Sequence, residues 1–258
     1  MVNPMQSTAP TRPANARSLS IPEFVAMLAV LFATVAFSID AMLPALTEIA
    51  RELSPTDINR TQLMLTAFVA GMGVGTAGVG ALSDAIGRKP AILLGAAIYI
   101  GASFSAIYAQ SLEALLILRF VQGFGAAGPR IAGTALIRDL YAGREMARIT
   151  SFVMMIFIMI PAVAPSLGEF IIELAGSWRA VFVAFIIFGL IGSTWVALRQ
   201  PETLPPERRV PLSARNLLRS AREVLSNRQV MLCTLVLTLG FAQMFALLSS
   251  SQQFFFYY

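Results

Sequence analysis

The sequence predicts an all-α membrane protein with seven spanning helices, and three observations carry that prediction. The chain is 57% hydrophobic and 13% charged, whereas soluble globular domains run at about 45–50% apolar and about 25% charged. Its mean hydropathy is +0.72, and seven of its apolar stretches are each close to or above the roughly 20 residues that a helix needs to cross a bilayer. The cations, finally, alternate from connection to connection as those of a multi-pass protein do.

Absences prune the functional classes. The chain has no His, one Cys (Cys233) and one Lys (Lys89), which removes His/Cys metal sites, Ser-His-Asp or Cys-His catalysis and a disulfide framework. A retinal-type seven-helix receptor needs a Lys in its last helix, and the seventh span has none. A sequence pI near 10.0 would suggest nucleic acid as partner of a soluble protein, but the cations follow the membrane instead.

Residues 1–20 are polar, carry Pro4, Pro10 and Pro13, and read as a disordered tail. Span 1 is Phe24–Leu46. A cleaved signal peptide is its alternative, but the apolar core to Ile39 is longer than an h-region and no small-x-small site follows. The hydropathy pattern then places spans at Gln62–Leu82, Ala91–Ala109, Leu112–Ile137, Ile149–Leu174, Arg179–Leu198 and Gln229–Ser250. Fourteen cations fall in the tail and in the connections after spans 2, 4 and 6; Arg51, Arg60 and Arg179 occupy the other side, and Arg119 and Arg130 lie inside span 4. The positive-inside rule therefore puts the N-terminus in the cytoplasm and, after seven spans, the C-terminus of the chain outside.

This organisation predicts a tail at 1–20, a six-helix domain at 21–198, a cytoplasmic central loop at 199–228 and a seventh helix at 229–258. Within the loop, Ala214, Leu217, Leu218, Ala221, Val224 and Leu225 share one helical face and Arg215, Arg219 and Arg222 another. That pattern suits a short amphipathic helix on the inner leaflet; a protein-binding regulatory helix is the rival reading.

Three stretches, with Asp40 of span 1, carry chemistry. Span 2 ends in GVGALSDAIGRKP (Gly78–Pro90), where Gly80 permits close helix approach, Asp84 is placed to pair with Arg88, Gly87 permits a tight reversal and Lys89 adds a second cation. Span 4 contains RFVQGFGAAGPRIAGTALIRDLY (Arg119–Tyr141), in which Arg119, Gln122, Ala126, Arg130 and Gly133 are spaced 3, 4, 4 and 3 and form one helical stripe. An ionisable side chain at mid-bilayer costs roughly 2.5–3.5 kcal/mol, so this stripe faces a wet cavity or an acid. Asp40 is the expected acid: it lies six residues from the outer end of span 1 and Arg119 seven from that of span 4, which at 1.5 Å per residue puts both about 9–10 Å deep. Span 5 contains PAVAPSLGE (Pro161–Glu169), whose Pro161 and Pro165 each remove a helical hydrogen bond and are expected to bend the helix. Glu169 has three readings: a contact for cationic drug, a proton relay, or an acid that snorkels to water.

Two bland readings accompany these. Gly71, Gly75 and Gly78 form a smooth face for helix contact. Met154, Met155, Phe157, Met159, Phe182, Phe185 and Phe188 are lipid-facing or core residues, with a minority lining an adaptable apolar cavity.

The order G-x-L-x-D-x-x-G-R-K from Gly80 to Lys89 resembles the signature loop between helices 2 and 3 of the major facilitator superfamily. The Arg119–Tyr141 stretch resembles that superfamily's helix 4 motif. Pro161–Glu169 resembles the helix 5 antiporter motif, with Ala164 and Glu169 standing where that motif usually has Gly. SIDAMLPAL in span 1 and PETLP after span 6 are similar to the bicyclomycin/chloramphenicol-resistance (Bcr/CflA) type of drug/proton antiporter.

The resemblance, running from about Ile21 to Gln253, implies the N-terminal six-helix bundle of that fold, built as two inverted three-helix repeats, followed by the central loop and helix 7. It further implies export of small amphipathic drugs across the bacterial inner membrane in exchange for protons, with Asp40 and Arg119 in proton coupling, and Gln122, Arg130 and Glu169 as cavity or relay candidates. Gly80, Asp84, Gly87, Arg88, Lys89 and Asp139 then form the conformational motif loop, and Pro161, Pro165 and Gly168 the helix 5 motif. No enzyme activity, metal or cofactor is expected, the proton gradient being the driving force; without a nucleotide-binding loop, ATP is not the expected energy source. The expected partners are drug, protons and membrane lipids, with no nucleic acid. Five of the superfamily's twelve helices are absent from this chain, so the expectation is that it inserts but needs a missing C-terminal half for transport. The alternatives are a transport-inactive remnant and, more distantly, an unrelated seven-helix receptor or membrane enzyme.

Overall fold

A computed structural model describes residues 19–55, 57–213 and 222–257. The expected tail falls almost wholly outside the described residues, as does most of the amphipathic segment, of which only Arg222–Ser226 is described, as a helical turn. All regular structure among the described residues is helical. The helices are α1 (Ile21–Asp40), α2 (Ala45–Leu53), α3 (Leu63–Ile86), α4 (Arg88–Ile107), α5 (Leu112–Leu140), α6 (Gly143–Ala175), α7 (Arg179–Arg199) and α8 (Arg228–Tyr257). Two compact units divide the chain: one runs to Arg209 and the other, from Val210, contains α8.

Local capping signals mark the starts of α1 and α5. Ser20 caps α1 by accepting the Glu23 N–H, with Pro22 in the first turn, and Ser111 caps α5 by accepting the Ala114 N–H at 3.2 Å. Among the described residues five helices are long and apolar enough to cross a membrane: α1, α3 with the turn before it, α4, α6 and α7. The expected fourth span, α5, is not among them, because its 29 residues include Glu113, Arg119, Arg130, Arg138 and Asp139. Its length of about 43 Å still exceeds a hydrocarbon core of about 30 Å.

One expected span is shorter than its apolar run. α1 stops at Asp40 and the chain turns through Ala41–Pro44 into α2. Pro44 has no N–H to offer the carbonyl four residues back, and its ring clashes with that carbonyl, which belongs to Asp40. The Asp40 carbonyl accepts the Leu43 N–H at 3.2 Å instead. α2 is amphipathic, burying Ala45, Leu46, Ile49 and Ala50 while Arg51 and Glu52 face out.

In the first unit α5 packs between α3 and α4, α1 lies against α6 and α7, and α4 also meets α7. Glycines set the α5 seams. A Cβ on Gly71 or Gly123 would run into the backbone carbonyl of Phe120 or Phe68, and one on Gly75 would lie 2.7 Å from the Phe124 oxygen. Toward α4, a Cβ on Gly128 would lie 2.8 Å from the Gly95 Cα. Gly78 and Gly80, expected to join such contacts, face open space. α6 runs as one continuous helix through Pro161 and Pro165, and Gly168 brings it against the backbone of Ala41.

Two apolar clusters fill the bundle. One includes Phe68, Trp178, Phe182 and Phe185, and the other Phe24, Phe32, Ile92, Leu136 and Val196. Phe182 and Phe185 are therefore core, whereas Met154, Met155 and Met159 are exposed. Beyond the first cluster, α2 is tied to α7 by Arg179, which donates to Glu52 at 2.8 and 3.0 Å, while the Trp178 indole donates to the same carboxylate at 2.7 Å. Arg179 also donates to the Ile107 carbonyl at 3.1 Å, so the end of α4 joins this clasp.

Two measurements check these packing statements. Gly123→Val is expected to destabilise the purified protein by about 1–3 kcal/mol relative to Gly101→Val, because overpacking at a backbone contact forces the helices apart and Gly101 faces open space. The Arg179 hydrogen bonds first, and that of Trp178 next, hold the Glu52 carboxyl below its usual range. A lowered folded value means that this stabilisation is present at neutral pH and is lost as pH falls through it, so between about pH 5 and pH 3 the melting midpoint of the wild type falls more steeply than that of Glu52→Gln.

Candidate functional site: a buried arginine and a clamped helix turn

Arg119 is fully buried in α5. Its Nη1 donates to the Gln122 Oε1 at 2.7 Å, one turn along the same helix, and its Nη2 to the backbone carbonyl of Ser38 in α1 at 2.9 Å. The Phe68 ring lies 4.7 Å from the guanidinium carbon and the Phe185 ring 5.9 Å. The buried Nε of Arg119 has no acceptor. Among the described residues no ion pair joins Arg119 to Asp40. Asp40 is buried at the last position of α1, two residues beyond the carbonyl that Arg119 holds. The depth-matched pairing expected from the sequence fails because it assumed a helix continuing to Leu46.

A hydroxyl chain extends this network, and the sequence reading missed it. Gln122 donates to the Ser103 Oγ at 2.7 Å, Ser103 donates to the Tyr99 carbonyl at 2.7 Å, and the Tyr99 and Ser38 hydroxyls bond to each other. Ser38 also donates to the Thr34 carbonyl at 2.7 Å. Every member but Arg119 and Gln122 is of a type common in apolar helices, so only the helix pairing of α4 with α5 reveals them. The arrangement holds a buried guanidinium on neutral acceptors alone, in charge-assisted hydrogen bonds that a low-dielectric interior strengthens.

Arg130, on the same stripe, is exposed and donates to the Met72 Sδ at 3.7 Å. It borders a shallow hollow, open to the outside, with Phe32, Met154 and Phe157. Glu169 is exposed on α6 and belongs to neither arrangement.

At the end of the bundle that carries Arg88, the structure joins the predicted loop residues and adds two more. Gly87, at φ 110°, makes the reversal between α3 and α4, a conformation costly for any side chain-bearing residue. Arg88 pairs with Asp84, donates to the Ser83 hydroxyl at 2.6 Å and pairs with Asp139 of α5 at 3.0 Å. Lys89 donates to the Ala197 carbonyl of α7 at 2.7 Å. Gly80 takes no part.

Glu202 and Thr203, just beyond α7, complete the clamp. The Glu202 carboxylate accepts the backbone N–H groups of Arg88 at 3.0 Å and Lys89 at 3.1 Å, and those of Thr203 and Leu204 at 2.9 Å each. Thr203 donates its hydroxyl to Asp139 at 3.0 Å. The first N–H groups of a helix lack intrahelical acceptors and favour negative charge, and Gly87 has no side chain with which to cap α4. That missing cap was the one sequence signal for an acceptor from elsewhere. Glu202→Ala is expected to lower stability by about 1–3 kcal/mol in a melting experiment, the cost of leaving donors without a charged acceptor, while exposed Glu207→Ala leaves the midpoint unchanged.

Comparison with known proteins matches this geometry to a family. Residues 26–258 match the Major Facilitator Superfamily. The chain is 33% identical over 89% of its length to an uncharacterized MFS-type transporter, YdgK, of Bacillus subtilis, covering 56% of that protein. It is 32% identical over 88% of its length to a bicyclomycin resistance protein homolog of Haemophilus influenzae, again covering 56%. A chloramphenicol resistance protein of Pseudomonas aeruginosa is 36% identical over 64% of this chain and 39% of its own. The crystal structure of the human organic anion transporter MFSD10 (TETRAN) shares the fold, with a TM-score of 0.61 at 18% identity over 78% of this chain and 53% of that one. The chain thus spans about half the length of its first two relatives, and with a matching profile over most of its residues it belongs to the Major Facilitator Superfamily.

Proposed function

We propose that this chain forms the proton-coupling half of an exporter that moves small amphipathic drugs across the bacterial inner membrane in exchange for protons. Kinship with proteins named for bicyclomycin and chloramphenicol resistance supports the cargo class. The observation that carries the coupling is Arg119, a fully buried cation resting on neutral acceptors while a carboxyl, Asp40, lies two residues from one of them. On this reading the end that carries Arg88 faces the cytoplasm, as the distribution of cations requires.

In the proposed cycle the Asp40 carboxylate draws the Arg119 guanidinium from the Ser38 carbonyl when Asp40 is deprotonated, and releases it when a proton arrives from outside. Each state changes which group of α1 holds the guanidinium, the Ser38 carbonyl or the Asp40 carboxylate, and a charge moved within the low-dielectric interior biases the bundle between access states. Gln122 keeps one hydrogen bond on Arg119 in both states. Drug binds between this half and the second one, which supplies the rest of the pathway. A permanently packed Arg119 that only fixes α1 against α5 would leave proton movement independent of drug.

The test is drug-dependent proton release in inverted vesicles containing the transporter at the full length of its relatives. Chloramphenicol is expected to trigger release in the wild type and to lose that effect in Asp40→Asn, with drug binding retained. Undiminished pH-dependent transport by Asp40→Asn overturns the coupling role.

A further inference from the structure

The hollow beside Arg130 is a second, independent arrangement of charge. Arg130 lies four residues from the middle of α5, about 6 Å along the axis, and so within the membrane-crossing stretch of the helix. Three other helices border it. Phe32 belongs to α1, Met72 to α3, and Met154 and Phe157 to α6, so the exposed guanidinium is flanked by side chains of three other helices. Its only hydrogen-bond acceptor among the described residues is the Met72 sulfur, a weak one. Among the described residues no carboxylate forms an ion pair with it. Asp40 is eight residues, about 12 Å, along α1 from Phe32, and Glu169 is twelve residues, about 18 Å, along α6 from Phe157.

We infer that this hollow binds the acidic group of an anionic amphipathic molecule, an aromatic or aliphatic body bearing a carboxylate, with Arg130 as its counter-ion. The inference deepens the export reading and rests on it, because it names the chemical class that the same transport pathway takes. The planar fork of Arg matches a carboxylate in two parallel hydrogen bonds, which a neutral drug cannot supply in full. Phe32 and Phe157 offer rings and Met154 an adaptable thioether, so the walls suit an apolar body of variable shape. A cationic drug would meet an unneutralised positive charge in a poorly screened site.

The experiment uses the whole chain in phosphatidylcholine nanodiscs and two probes of one shape, radiolabelled 4-biphenylcarboxylate and the neutral 4-biphenylcarboxamide. The carboxylate is expected to bind at least about tenfold more tightly. Arg130→Met is expected to remove that preference, and Arg130→Lys to keep its sign while reducing it, with melting midpoints near that of the wild type. If Arg130→Met does not fold, the same loss is expected of Arg130→Gln. Equal binding of the two probes, no saturable binding, or an unchanged preference in the neutral variants overturns the inference. A preference that disappears when phosphatidylglycerol is added to the nanodiscs assigns Arg130 to lipid phosphate and overturns it as well. The export reading is scored separately, by the vesicle assay with a neutral drug, so either one fails without the other.

Discussion

Arg119 keeps a full positive charge in the interior of the bundle with only neutral acceptors on it, and the packing around α5 is arranged about that charge. Desolvating a cation costs several kcal/mol even after relaxation, so the guanidinium must be met from all sides. The glycines at positions 71, 75 and 123 bring the backbones of α3 and α5 close enough for Phe68 to lie over it. Those at 95 and 128 do the same for α4, which places Ser103 under Gln122. A bulkier seam on either side would leave the charge with fewer neighbours and more void.

The two ends of the bundle are closed by different means. Near Asp40 a single carboxylate, Glu52, gathers Arg179 and Trp178 and so fixes α2 on α7. At the other end one guanidinium meets two carboxylates, while a third carboxylate meets four backbone N–H groups. The second arrangement joins the α3–α4 turn, the end of α5 and the segment after α7. Any movement of α7 relative to α4 must break or carry those hydrogen bonds.

What the sequence made legible follows from range. Asp84 with Arg88, the reversal at Gly87 and the stripe from Arg119 to Gly133 are local patterns, and helical spacing alone relates their members. The end of α1 was local too, but a hydropathy window averages over Pro44 and hides its effect on the carbonyl of Asp40; the depth match between Asp40 and Arg119 failed with it. Glu202 lies 114 residues from Arg88, and no periodicity relates them. Glycines were the intermediate case: repetition identified the face of α3, but which of Gly71, Gly75, Gly78 and Gly80 touch α5 depends on where the two helices cross.

The helix that carries the chemistry is also the one least suited to entering a membrane alone. α5 falls short of the apolarity that qualifies α1, α3, α4, α6 and α7, and each arginine at its centre opposes partition by roughly 2.5–3.5 kcal/mol. Its polar groups are satisfied largely by α3 and α4, which leave the ribosome just before it, and only a four-residue connection separates it from α4. Membrane integration of α5 is therefore coupled to helices already present, and a lesion in α3 or α4 that leaves their own hydropathy intact would act during biogenesis by stranding α5 outside the bilayer.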